Sequence, residues 1–163
     1  MSPVAARTVE LVAELTRALP GRVSTTPPDR VAYARDLWPR GLIVASGGNP
    51  AVHPPDAVVW PTTTDEVVTI VKAAARTATP IVPFGAGSGV CGGTMPIHGG
   101  LVVDCKRMRA IVDVDAKAGA ATVEAGILGE HLEHELNRRG LTLGHFPSSI
   151  MCSTFGGWLA ARS

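Results

Sequence analysis

The stretch Pro83–Gly93, "PFGAGSGVCGG", decides how this chain is read. Five of its eleven residues are Gly, and Phe84 is the one aromatic or charged residue in it. Each Gly costs about 0.5–1 kcal/mol relative to Ala in ordered structure. Such a density persists where the backbone takes a positive φ or must touch something closely. A phosphate held by main-chain N–H groups asks for both.

Gly87, Gly89 and Gly92 match the spacing G-x-G-x-x-G. In the dinucleotide fold that spacing opens a helix whose N-terminus carries the pyrophosphate. Here the chain runs into Thr94-Met-Pro96-Ile-His-Gly99-Gly100, and Pro96 with the paired glycines forbids such a helix. No Gly-Lys-Ser/Thr follows, so a Walker A loop is excluded too. Two readings remain for the loop alone: consecutive backbone donors around a phosphate with no trailing helix, or a glycine-rich turn between two strands.

Outward from the loop, "PIVPF" (80–84) and "GLVVDC" (100–105) read as short buried strands, and so does "AVVW" (57–60), closed by Pro61. Between the strands, Thr63 with Glu66 three residues on forms a capping box. It starts a helix whose apolar face is Val67, Ile70, Val71 and Ala74. Leu11, Val12, Leu15 and Leu19 recur at helical spacing, and Pro20-Gly21 stops that helix. Val23–Pro55 is rich in Pro, Gly and Asp without a sustained period and reads as irregular. Beyond the third strand, "AIVDV" and "ATVEA" flank Asp115–Gly119, a connection of hairpin length. Leu128, Leu132 and Leu136 then mark a helix with Gly140 as its C′ residue. Strands with helices packed on them, followed by a hairpin, make an α+β chain.

Composition narrows the function classes. A chain of 163 residues with 45% hydrophobic and 18% charged residues is globular rather than disordered. A net charge of +1 gives no reason to invoke nucleic acid or an anionic membrane. No apolar run reaches the roughly 18 residues of a membrane span, so no transmembrane segment is expected. The amphipathic N-terminus is not a signal peptide. Three widely spaced cysteines, Cys91, Cys105 and Cys152, form neither a disulfide framework nor a zinc motif. They point to a reduced, cytoplasmic setting.

Taken together, "PIVPFGAGSGVCGG", "VVDCKRM", "TVEAGI" and "GHFPSSIMCSTFGGWLAARS" resemble, in this order, the FAD-binding domain of the vanillyl-alcohol oxidase and para-cresol methylhydroxylase (PCMH) type. That family includes glycolate oxidase D-subunits, D-lactate dehydrogenases and alkyl-dihydroxyacetone-phosphate synthases. The resemblance runs from about Asp56 to the last residue, and "YARDLWP" (33–39) looks like the family's lead-in. It implies a domain of two α/β subdomains, truncated at the C-terminus. Residues 1–55 would be the N-terminal helix and lead-in, and 56–163 the N-terminal part of the FAD-binding domain.

The resemblance also places cofactor contacts. Pro83, Phe84, Gly85, Ala86, Gly87, Ser88, Gly89 and Val90 match the pyrophosphate loop, with N–H groups from Gly85 to Gly89 on the diphosphate. Charge-assisted hydrogen bonds contribute roughly 1.5–3 kcal/mol each, so several hold a dianion without Lys or Arg in the loop. Pro147 to Thr154 match the second FAD segment, with Ser148, Ser149 and Ser153 as donors. Gly156 and Gly157 match the close backbone approach after it. Members with a histidyl-flavin bond carry His in the loop; Ser88 stands at about that place, which implies noncovalent FAD.

Other chemistry-bearing residues have plainer readings. His131 and His134 share a helix face with Glu130, Glu133, Glu135, Arg138 and Arg139, so that face reads as solvated and no metal site is assigned. Asp113 and Asp115 flank a turn. His53 and His98 lie in loops. His145 abuts the second FAD segment and reads either as a flavin neighbour or as a structural His in a turn. Cys91 and Cys152 read as packed small residues, and Trp158 as core.

The implied function is a FAD-dependent oxidoreductase that oxidises a small alcohol or 2-hydroxy acid by hydride transfer to flavin, with a small-molecule substrate and an electron acceptor in the complete protein. The synthase branch is the second reading. "GGWLAARS" carries Trp158 after the glycine pair, where many hydroxy-acid oxidases have Gly-Gly-Asn and an Asn at the place of Arg162. A nucleotide-binding module without chemistry of its own is the third. Catalytic residues are expected beyond residue 163, and the 163-residue chain by itself is expected to be inactive. Noncovalent attachment has a direct check. Acid precipitation of the full-length holoprotein is expected to release all flavin into the supernatant; fluorescence left on the denatured band would contradict it.

Overall fold

The structure, a computed structural model, describes residues 3–49 and 52–163. Helix α1 (Pro3–Ala18) places Leu11 and Leu15 in the core with Leu19 just after its end, and the chain turns at Pro20-Gly21. Strand β1 (Val23–Ser24) follows. The irregular reading of Val23–Pro55 is corrected by two short helices, α2 (Pro27–Ala32) and α3 (Pro39–Ser46). Each begins on Pro. The prolines that argued for irregularity sit where a first-turn N–H has no helical partner and φ near −65° suits the helix. Asp29 closes the start of α2 by accepting from the hydroxyls of Ser24 and Thr26. The Ser24 bond, foremost, holds its carboxyl below the usual range.

Strand β2 (Ala57–Val59), helix α4 (Thr64–Thr77), strand β3 (Ile81–Phe84) and strand β4 (Leu101–Asp104) fall where the apolar runs predict them. They form one sheet in the order β1-β2-β4-β3. β1 runs antiparallel to β2, while β2 and β3 both pair parallel with β4. The Thr63 hydroxyl accepts from Glu66 N–H at 3.2 Å, as the capping box requires. Glu66 reaches one residue further back than expected, to Thr62 N–H at 2.5 Å. That bond is the first cause of its lowered pKa. The buried face of α4 is Ile70, Ala73 and Ala74; Val71, assigned to it from the sequence, is 48% exposed.

Alternation along the strands divides the sheet into two faces. Ala57, Val59, Leu101 and Val103 meet Leu11, Leu15 and Leu19 beside α1 and Ile70, Ala73 and Ala74 of α4, so the N-terminal helix shares the core of the sheet. The other face carries Val58, Val102 and Asp104, all buried. Here α2 lies against β2, and Tyr33, just beyond α2, packs edge-on to Trp60 and Phe84.

The hairpin of β5 (Ile111–Asp115) and β6 (Ala120–Val123) forms a second sheet. Asp115 accepts from Lys117 and Ala118 N–H, a turn role as read from the sequence. Helix α5 (Gly129–Asn137) covers this sheet through Leu132 and Leu136, with Ile127 alongside. It ends in paired bonds, Leu141 N–H to the Leu136 carbonyl and Gly140 N–H to that of Asn137, with Gly140 at φ +70°. Glu133 departs from the solvated-face reading. It is buried and accepts from Thr142 Oγ1 at 2.6 Å and Leu143 N–H at 3.0 Å. Helix α6 (Phe155–Ala161) buries Trp158. Among the described residues no helix is long and apolar enough to cross a membrane.

Leu15 is fully buried between α1 and the sheet. Leu15→Ala is expected to cost about 2–5 kcal/mol in urea unfolding. A loss under about 1 kcal/mol would show that α1 is not part of this core.

Candidate functional site

The glycine loop leaves the C-terminal end of β3 on Phe84, whose ring is buried. As the sequence predicts, no helix follows the loop; the chain turns through Gly92–Gly100 directly into β4. The N–H groups of Ala86, Gly87, Ser88, Gly89 and Val90 donate to no acceptor among the described residues. Half-buried or exposed as they are, these donors are left to water or to a ligand. Gly87 sits at φ +69°, and a Cβ there would lie 2.6 Å from the Phe84 ring. Pro83, Gly89 and Val90 are exposed, while Gly85 to Ser88 are half-buried.

The lead-in holds the loop from one side. Leu37 N–H donates to the Gly89 carbonyl at 2.9 Å, and the Trp38 ring lies against Gly92. Asp36 is buried; its Oδ1 accepts from Trp38 N–H at 2.9 Å. Its Oδ2, beside Gly89, has no hydrogen-bond partner among the described residues.

On the sheet side lies a cluster that motif reading missed. Asp104, 1% exposed, ends β4 and accepts from Tyr33 Oη, from Lys106 N–H at 2.9 Å and from Lys106 Nζ at 2.7 Å. Lys106 Nζ also donates to the Gly85 carbonyl at 2.8 Å. Burial, and then the hydrogen bond to Asp104, push the Tyr33 hydroxyl up to about 12. The signal was present in "VVDCKRM": an apolar strand ending on a charged pair. Nothing in the spacing showed that the pair would meet a tyrosine 71 residues earlier in the chain.

The second expected segment reaches the first at Gly85. Thr154 Oγ1 lies against Gly85 so closely that a Cβ on Gly85 would sit 2.3 Å from it. The same oxygen caps α6, accepting from Gly157 N–H at 3.2 Å. Thr154 bridges to Leu128, and Gly156 N–H donates to the Ala125 carbonyl at 2.8 Å. The close approach at Gly156 is therefore to Ala125. Ser153 is buried; its hydroxyl donates to the Ser149 carbonyl at 2.7 Å and accepts from Trp158 Nε1 at 2.6 Å. Ser148 is exposed, and Pro147 and Ser149 are half-buried.

The remaining candidates separate. His145 stacks edge-on to Trp158 at 5.0 Å. His131 and His134 are exposed. Cys91, in the glycine loop, and Cys152, at the end of a short 3-10 helix (Ile150–Cys152), read as packed residues, are both exposed. Cys105 is the half-buried one, and burial raises its thiol pKa.

Residues 55–163 match the family model described as "FAD binding domain". The chain belongs to this family. FAD is thus its cofactor, and its relatives are enzymes. It is 38% identical over 135 residues to alkyldihydroxyacetonephosphate synthase of Trypanosoma brucei brucei, covering 78% of this chain and 21% of that protein. To glycolate oxidase subunit GlcD of Bacillus subtilis it is 40% identical over 103 residues, covering 63% and 22%. A structure of an alkyldihydroxyacetonephosphate synthase superposes with a TM-score of 0.88 at 33% identity, over 95% of this chain and 32% of that one. p-Cresol methylhydroxylase superposes at 0.79 with 21% identity, a likeness of fold. The FAD-binding domain seen here spans only about a fifth of the curated relatives it matches.

The Gly85–Thr154 approach makes a testable pair. Gly85→Ala is expected to destabilise by about 1–3 kcal/mol through overpacking, and Thr154→Ala by about 1 kcal/mol through loss of the cap. Because Thr154→Ala removes the clashing hydroxyl, the double variant should cost less than the sum. Strict additivity in a urea double-mutant cycle would contradict the contact.

Proposed function

We propose that the glycine loop Pro83–Val90 and the segment Pro147–Gly157 together hold FAD, with the diphosphate on the loop N–H groups. The donors without internal acceptors from Ala86 to Val90, in a run that continues through Thr94 among the described residues, carry this reading. The residues fit the group. A dianion satisfies donors that nothing else in the described chain satisfies, and glycines leave it room to approach. Thr154 sets the spacing between the two segments at Gly85. Ser148 and Ser149 carry the hydroxyls we assign to the cofactor; Ser153, the third donor the resemblance implies, is buried and bonded to Ser149 and Trp158.

Bound FAD supplies the redox chemistry, accepting a hydride, and the protein supplies position and electrostatics. The whole protein is read as a FAD-dependent oxidoreductase of a small alcohol or 2-hydroxy acid, as the likeness to GlcD supports. A second reading, a synthase that exchanges an acyl for an alkyl group without net oxidation, is supported by Trp158 after Gly156-Gly157 and by the 0.88 superposition.

Two measurements on the full-length protein test these readings. Gly87→Glu puts a side chain at a positive φ and a like charge against the diphosphate, so the variant should elute colourless from gel filtration; retained flavin would sink the placement. Under anaerobic conditions a panel of 2-hydroxy acids should bleach the flavin of the native protein. No bleaching, with exchange of an acyl for an alkyl group on a dihydroxyacetone-phosphate ester, would favour the synthase.

A further inference from the structure

The glycine loop carries no cation, yet one is pressed against its base. Parallel pairing sets Phe84 opposite Asp104, so Gly85 and Lys106 leave the sheet at the same edge. Lys106 Nζ lies 2.8 Å from the Gly85 carbonyl oxygen and 2.7 Å from Asp104 Oδ2. It also stands 5.0 Å from the Phe84 ring centroid and 5.5 Å from that of Tyr33. Lysine side chains are flexible and strongly hydrated; this one is held on four sides.

We infer that Lys106 is a positioning residue of the phosphate-binding loop, acting through the Gly85 carbonyl to aim and polarise the Ala86 N–H. The inference rests on the FAD reading above. The peptide bond is planar and trans, so its C=O and N–H point in opposite directions. No cis bond occurs among the described residues. Pinning the Gly85 oxygen toward β4 therefore turns the Ala86 N–H, one of the loop's free donors, away from the sheet. A cation on the carbonyl also strengthens that N–H as a donor, because hydrogen bonds in a chain polarise one another. Asp104 offsets the charge of Lys106, so the lysine acts by direction and polarisation rather than as a counter-ion to the phosphates. Tyr33 holds Asp104 in place through its hydroxyl.

The test uses flavin-free full-length protein and measures FAD by fluorescence quenching, ADP by competition, and the melting temperature of the apoprotein. Lys106→Met should weaken FAD and ADP by the same factor, about tenfold for a lost charge-assisted bond acting at second hand. Its apoprotein, with the buried Asp104 left to Tyr33 and the backbone N–H of residue 106, should melt below the native protein but still fold cooperatively. Lys106→Arg, which keeps a cationic donor, should recover most of the affinity. The salt dependence of FAD binding should be alike in all three proteins.

The inference is overturned if Lys106→Met binds FAD as the native protein does, or if ADP affinity holds while FAD affinity falls. A shallower salt dependence in the Met variant would mean that Lys106 touches phosphate directly, and that too overturns it. Lys106→Gln guards against a folding defect: if the Met and Gln apoproteins both collapse while Arg folds, Lys106 is a structural residue and the inference fails. Native protein that takes up no FAD at all would defeat the FAD reading itself.

Discussion

The parallel register of β3 on β4 is the constraint on which the site depends. Phe84 faces Asp104, and Val82 faces Val102. Parallel strands deliver their C-terminal ends to the same edge of a sheet, and ligands of open α/β sheets gather at such edges. The glycine loop leaves β3 there, and the Asp104–Lys106 pair leaves β4 there. A slip of one residue would turn Asp104 into the α1/α4 core and leave a buried carboxylate without Tyr33 or Lys106.

The lead-in gains its importance from the same edge. Tyr33 covers the second face of the sheet and closes the hydrogen bond to Asp104, while Leu37 and Trp38 engage the far end of the loop at Gly89 and Gly92. The loop is thus gripped at its base by Lys106 and at its tip by the lead-in, with its free donors between the two grips. Preorganised donors of this kind bind without a reordering cost at the moment of contact. The second subdomain is joined by very short approaches: Gly85 to Thr154, and Gly126 to the Cys105 and Met108 carbonyls. Side chains at either glycine would force the two subdomains apart, which ties the local glycine requirement to the relative placement of the glycine loop and the 147–157 segment.

Much of this was legible from residue order. Strands at 57–59, 81–84 and 101–104, the hairpin, and the helices at 64–77 and 129–137 follow from short apolar runs, caps and turn residues, all of them local signals. The absence of a helix after the glycines was legible because Pro96 forbids one locally. The family was legible because several motifs stand in a fixed order, and the match over residues 55–163 agrees. The lead-in misled for a local reason as well: Pro27 and Pro39 count as breakers in a composition, and only their position at a helix start makes them helix initiators.

By itself the sequence determined that a glycine loop ends one strand, that a second strand lies within residues 100–105, and that Thr63 starts the helix between the strands. Each of those facts rests on periodicity and on caps a few residues long. Only the tertiary structure decided that Lys106 would hold the Gly85 carbonyl, that Tyr33 would reach Asp104, that Glu133 would turn inward to Thr142, and that Thr154 would rest on Gly85. These pairs join residues from 9 to 71 positions apart in the hydrogen-bonded cases. Their partners are chosen by strand register and by which side chain is missing at the point of contact. Neither leaves a periodic trace in the residues themselves, because register is a relation between two segments and a close approach is a property of the space between them.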